Sequence, residues 1–289
     1  MARPPKSSAG IVAGRRADWG ALALLGACHP GPSVVVTGVA VALAAAEGRG
    51  APGLIAVGGA VLSGQLSVGW HNDWLDADRD RLSARGDKPV ARGVIPRRVV
   101  GRAAAIAVVA VVPLSLLSGP TAAAAHLTAV ALAWAYNARL KATLLSFVPY
   151  ALAFPLLVAF VSMGLPGAPG PPWWQVVAAA LLGTGAHLAN AAPDLDHDRA
   201  TGVQGLPHRL GYRASVLGAA TLLVIASGVL AFGPGRPRPL SVGGLALAVL
   251  VVGAGLVAGR RGRPRLLFAV AMLVALIDVA LLVAESASR

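Results

Sequence analysis

Charge is scarce in this chain, and negative charge scarcer still. Only 13% of its 289 residues are Asp, Glu, Lys or Arg, where a soluble domain carries about 25%. A single cysteine, Cys28, excludes an internal disulfide and says nothing of redox chemistry. No uninterrupted apolar core precedes Asp18, so no cleavable signal peptide is expected. No internal repeat stands out either. What fills the chain is apolar sequence: 56% hydrophobic residues and a mean hydropathy of +0.70. Apolar runs approaching the length of a membrane-crossing helix recur from end to end.

Those runs fall near 20–46, 53–71, 99–118, 121–136, 143–163, 173–190, 213–232, 240–258 and 265–284. The expected fold is all-α: a polytopic membrane protein of about nine transmembrane helices bundled around a central cavity. Residues 1–19 read as a cytoplasmic N-terminal segment, and 20–289 as one transmembrane domain. The first run is interrupted by Pro30 and Pro32, which a bundle tolerates where neighbours re-satisfy the freed carbonyls. Trp173 and Trp174 read as anchors at the outer interface.

The net charge of +13 invites a nucleic-acid reading, but its distribution refuses one. Counted along the nine runs, 21 of the 25 lysines and arginines fall at the N-terminus and in alternate loops, on one side. Arg49, Arg236, Arg238 and Arg289 alone fall on the other. By the positive-inside rule the N-terminus is cytoplasmic and the C-terminus external. The Ala, Gly, Pro and Arg bias is that of a GC-rich bacterial genome, so a bacterial plasma membrane is expected.

Five of the twelve acidic residues lie between Asp73 and Asp87, and three more are Asp194, Asp196 and Asp198. On a helix, Asp73, Asp76 and Asp80 share one face, Asn72 lies beside Asp76, and Asp78 points elsewhere. Asp194 and Asp198 share a face at i, i+4. Carboxylates about 4 Å apart repel by roughly 4 kcal/mol at an effective dielectric near 20. They must either stay apart in water or be held together by cations. Hard oxygen ligands without cysteine suit Mg²⁺, which prefers one or two carboxylates plus substrate phosphates. Both clusters fall on the cytoplasmic side, as does the basic pair Arg139 and Lys141.

These residues resemble the motifs of the UbiA superfamily of intramembrane prenyltransferases. Asn72-Asp73-x-x-Asp76-x-x-x-Asp80 is similar to its first aspartate motif. Asp194-x-x-x-Asp198, with Gly202 and Leu206-Pro207-x-Arg209-Leu210-Gly211, is similar to its second. Asp87-Lys88-Pro89-Val90-Ala91-x-Gly93 resembles the stretch after the first motif, and Tyr136-Asn137-Ala138-Arg139-Leu140-Lys141 the tyrosine-plus-basic motif. The resemblance implies magnesium, as a pair of ions, bound with an isoprenyl diphosphate. It places metal ligands at Asn72, Asp73, Asp76, Asp80, Asp194 and Asp198. Diphosphate contacts fall to Asn72, Lys88, Arg139, Lys141, Asn190 and Arg209, and Tyr136 faces the developing cation or a phosphate oxygen. The implied reaction is transfer to an aromatic or quinone-precursor acceptor. Relatives often carry a first-helix arginine to hold an acidic acceptor; here the segment reads Cys28-His29-Pro30-Gly31-Pro32.

Blander readings stand beside these. Acidic knots can be solvated helix ends, Arg139 and Lys141 can be topology determinants, and Tyr136 with Trp134 can be interface residues. An EF-hand at Asp76 fails, because Arg81 stands where the loop needs glycine. A terpene cyclase on the same scaffold would use the same aspartates without an acceptor. A cation or lipid-phosphate transporter would thread polar residues through several spans, and here Asp278 is the main one.

Overall fold

The computed structural model describes residues 20–82, 88–200, 202–260 and 265–288. Asp87, the segment 1–19 and the arginines at 261 and 263 lie outside the described residues, as does the side chain of Asp196. The described chain is helical throughout. In order it runs α1 (Gly20–Gly26), α2 (Pro30–Ala46), α3 (Ala51–Leu82), α4 (Arg97–Leu116), α5 (Pro120–Ala138) and α6 (Val148–Ser162). Then come α7 (Trp173–Ala191), α8 (Leu195–Ala200), α9 (Leu206–Leu210), α10 (Tyr212–Phe232), α11 (Pro239–Arg260) and α12 (Arg265–Ser286).

Seven of these helices are long and apolar enough to cross a membrane, and the bent pair α1–α2 makes an eighth. The ninth expected span, α5, is a 19-residue helix of about 28 Å. It does not reach the same apolarity, because it carries His126, Trp134, Tyr136 and Asn137. Neighbours in sequence are neighbours in space: α2 packs on α3, α3 on α4, α5 on α6, α6 on α7, and α7 on α10. Helix α12 returns to pack on α10, α7 and α2, closing the ring. The chain is thus an integral membrane helical bundle.

Small residues let backbones approach at the crossings. A Cβ at Gly183 would stand 2.3 Å from the carbonyl oxygen of Tyr150, so α6 and α7 touch there only because the residue is glycine. At the end of the bundle away from the acidic clusters, polar residues tie four helices. Glu47 accepts from Ser162 at 2.9 Å and from Gln175 at 3.3 Å, and Gln175 donates to Ser286 at 2.7 Å. Trp174 belongs to this core and is buried, whereas Trp173 is exposed as an interface anchor should be. Asp278, inside α12, is fully buried and accepts a hydrogen bond from Ser227 of α10.

Two departures from straight helices position the site. The first is the break between α1 and α2, which meet at 66°. Pro30 has no N–H to give and disfavours helical backbone at the residue before it. His29 accordingly takes the left-handed region, φ 55° and ψ 66°. The break seats on α3 at Gly69, where a Cβ would lie 2.2 Å from the carbonyl oxygen of Cys28. The second is α3 itself. Its 32 residues span about 48 Å, well beyond a hydrocarbon core of about 30 Å. The helix expected to end near residue 71 continues unbroken through the acidic ladder.

Candidate active site at the polar end of the bundle

Continuity of α3 puts Asp73, Asp76 and Asp80 on one inward face, and all three are buried. Asp78, on the other side, is exposed and pairs with Arg97 at 2.8 Å and Arg81 at 3.3 Å. The spacing argument therefore separates these four carboxylates correctly.

Protein cations hold the buried three together. Lys88 Nζ donates to Asp73 Oδ1 and lies 2.8 Å from His29 Nε2, which is itself 3.1 Å from the same carboxylate oxygen. A lysine only donates, so Nε2 either accepts from Lys88 or carries a proton to Asp73, never both. Lys141 Nζ spans the two oxygens of Asp76 at 2.6 and 2.7 Å. Arg79 adds a 2.7 Å bond to Asp76 Oδ2 and stands 4.0 Å from Asp80. Burial pulls the Lys141 ammonium below the ordinary lysine range, and Asp76 pulls it part of the way back. Asp73 Oδ2 is buried and has no hydrogen-bond partner among the described residues.

The second cluster sits where α7 gives way. Pro193 falls in a 3₁₀ turn, Ala192–Asp194, from which α8 departs. Asp194 is exposed, and its side chain makes no hydrogen bond with other described residues. Asp198, on α8, is bonded to Nε2 of the buried His208 at 3.2 Å. Among the described residues no three His, Cys, Asp or Glu side chains converge as a metal cage.

Tyr136 lies between the two clusters, near enough to feel the charges of both Asp76 and Asp198. Its ring meets Tyr150 edge-on at 5.2 Å and His187 at 5.7 Å. Below it, Ser146 joins three elements. Its hydroxyl bonds His187 Nε2 at 3.0 Å and accepts from the Leu206 amide at 3.0 Å. With one proton and a second lone pair still available, the Ser146 hydroxyl can serve either tautomer of His187 while it holds the Leu206 amide. The loop after α8 is thereby pinned to the loop after α5.

Other expected site residues stand further out. Asn72 is half-buried, and Asn190, Arg139 and Arg209 are exposed. Sequence reasoning missed Arg79, His29, His208 and Ser146. His208 is the unassigned position of Leu206-Pro207-x-Arg209, and His29 drew notice only for not being arginine. A polar residue beside a proline inside an apolar run was the available signal for His29. Ser146 offered none.

The architecture has solved counterparts. The apo structure of a UbiA homolog from Aeropyrum pernix K1 superposes with a TM-score of 0.70 at 19% identity, covering 88% of this chain and 97% of that one. A UbiA homolog from Archaeoglobus fulgidus bound to DMAPP and Mg²⁺ gives 0.67 at 17%, covering 92% and 99%. A digeranylgeranylglyceryl phosphate synthase gives 0.71 at 14%, covering 93% and 99%. At such identities the likeness shows a common fold. No match was found among curated proteins. The model of the UbiA prenyltransferase family matches residues 33–283, nearly the whole bundle and both acidic clusters, and the chain belongs to that family.

Proposed function

We propose that the chain moves an isoprenyl group from an isoprenyl diphosphate to an acceptor within the membrane, releasing diphosphate. The observation that carries this reading is the burial of Asp73 and Asp76 at the end of an apolar bundle, each facing a lysine. Buried carboxylates cannot themselves hold a diphosphate; cations must lie between. The unpartnered Oδ2 of Asp73 fits a hard divalent ion, and an all-oxygen donor set suits Mg²⁺. On this reading Asn72, Asp73, Asp76 and Asp80 hold one ion, and Asp194 with Asp198 hold another. Bound there, Mg²⁺ supplies neutralisation of the charge that develops on the departing diphosphate. Solved A. fulgidus homologs bound to DMAPP or GPP together with Mg²⁺ support the assignment.

The chain's own residues do the rest. Lys88 and Lys141 approach the leaving diphosphate from two loops, with Arg139, Asn190 and Arg209 at the rim. Tyr136 stands over the allylic end, and the apolar helices behind it keep water from the cation. An isoprenyl chain enters sideways from the bilayer. The site opens on the cytoplasmic side of a bacterial plasma membrane, with an aromatic or quinone-precursor acceptor.

His29 favours a second reading. It turns to Asp73 and Lys88, leaving no arginine at the first-span break to hold an acidic acceptor. A cyclase would ionise the same donor and let the cation react within its own chain. Product analysis with geranyl, farnesyl and geranylgeranyl diphosphates, with and without aromatic acceptors, separates the two. Coupled product that requires acceptor supports transfer; hydrocarbon formed without one supports the cyclase. No diphosphate release from any donor rejects both.

A further inference from the structure

The acidic ladder carries its own counter-ions. Lys88 occupies Asp73, and Lys141 occupies both oxygens of Asp76. Each lysine comes from a different loop, and each is a compact charge on a flexible stem. Taking Lys88 away without a substitute would leave the buried Asp73 to His29 alone, and taking Lys141 away would leave Asp76 to Arg79 alone. A divalent ion arriving at these aspartates must therefore displace the ammonium groups, using the open Oδ2 of Asp73 as its first foothold. The displaced Lys88 then needs another anion. Among the described residues, the acids that face it are Asp73 and Asp80, members of the same ladder. Lys141 likewise faces Asp76 and Asp80. Among the described residues no acid outside the ladder faces either lysine, so an anion brought in from outside is the partner they take once metal holds the ladder.

We propose that Lys88 and Lys141 are place-holders for the metal, held on Asp73 and Asp76 until a diphosphate arrives to receive them. Cation and diphosphate then bind as one unit, and neither binds well alone. His29 gives Lys88 a second partner during the exchange, its Nε2 standing 2.8 Å from the ammonium. The proposal rests on the metal–diphosphate reading above, and extends it to the order and coupling of binding. It also means that the ladder stays neutralised, and the bundle intact, when no metal is present.

Equilibrium dialysis of the purified full-length protein, with labelled Mn²⁺ and labelled inorganic pyrophosphate, tests it on free concentrations. Each ligand should raise the affinity for the other by about tenfold or more, and equally in both directions, as linkage requires. Lys88→Met and Lys141→Met should bind Mn²⁺ alone more tightly than the wild type, and their enhancement by pyrophosphate should fall to about threefold or less. Tight Mn²⁺ binding by the wild type without pyrophosphate, and no enhancement when it is added, overturns the exchange but leaves the metal–diphosphate reading in place. Absence of binding by either ligand, alone or together, rejects both. If a methionine variant fails to fold, the wild-type measurements still decide.

Discussion

Gly205 lies against the carbonyl oxygen of Lys141, so closely that a Cβ there would stand 2.5 Å from it and 2.9 Å from Ser146 Oγ. Gly205 belongs to the loop after the second acidic cluster, and Lys141 is the cation on the first. The two halves of the site are thus joined through backbone, with Ser146 bonding Leu206 beside the contact.

Gly205→Ala should consequently separate the halves without unfolding the bundle. A methyl group meeting a carbonyl oxygen and a buried hydroxyl must shift one loop, and Lys141 moves with it. Misplacement by about 1 Å costs on the order of 10²-fold in rate. Diphosphate release should fall by about that factor, while helix content by circular dichroism stays at the wild-type level. Full activity would show that the loops need not touch.

Three carboxylates of α3 and one of the second cluster give a sharper internal control. Asp73→Asn and Asp76→Asn each remove a buried charge that faces a lysine, and Mg²⁺-dependent diphosphate release should drop by about 10²-fold or more. Asp194→Ala should do the same if the exposed second cluster closes on the diphosphate. Asp78→Ala breaks only exposed ion pairs, worth about 1 kcal/mol or less, and should leave turnover nearly unchanged. Equal activity in all four variants would end the assignment.

Much of this arrangement was legible in the sequence, for definite reasons. The i, i+3, i+7 spacing of Asp73, Asp76 and Asp80 dictates a shared face on any continuous helix, and α3 is continuous. Apolar runs located the seven helices that are long and apolar enough to cross a membrane, because each must cover a hydrocarbon core. Contacts that depend on the path of a loop stayed hidden. Nothing in the spacing says that Lys141, 65 residues beyond Asp76, returns to both its oxygens. Nor could composition tell that protein cations would neutralise the ladder, or that Trp174 turns inward while Trp173 turns out. Helical phase is weakly specified in a segment that is apolar all round.

His29 combines an unfavourable backbone with a favourable side chain. A non-glycine residue in the left-handed region costs on the order of 1–2 kcal/mol. His29→Gly removes that cost and also removes Nε2 from Lys88 and Asp73. The variant should melt no lower than His29→Ala in detergent, yet both should lose about tenfold or more in turnover through a less ordered Lys88. Wild-type turnover in His29→Gly would mean that the imidazole only fills space at the break.

Orientation ties the chemistry to a compartment. Lys88, Arg139, Lys141, Arg199 and Arg209 all flank the acidic end of the bundle, whereas Arg49 and Arg238 flank the end closed by Glu47, Gln175 and Glu285. The excess of positive charge belongs on the cytoplasmic side. Counting α1–α2 as one span and α5 as another gives an odd number of crossings, so with a cytoplasmic N-terminus, as the positive-inside rule proposes, Ser286 would lie outside. A C-terminal alkaline phosphatase fusion should then be active and a green fluorescent protein fusion dark. The reverse pair of results would mean that the end of the bundle carrying Ser286 faces the cytoplasm. It would also place the diphosphate site on the face opposite the soluble pool of its substrate.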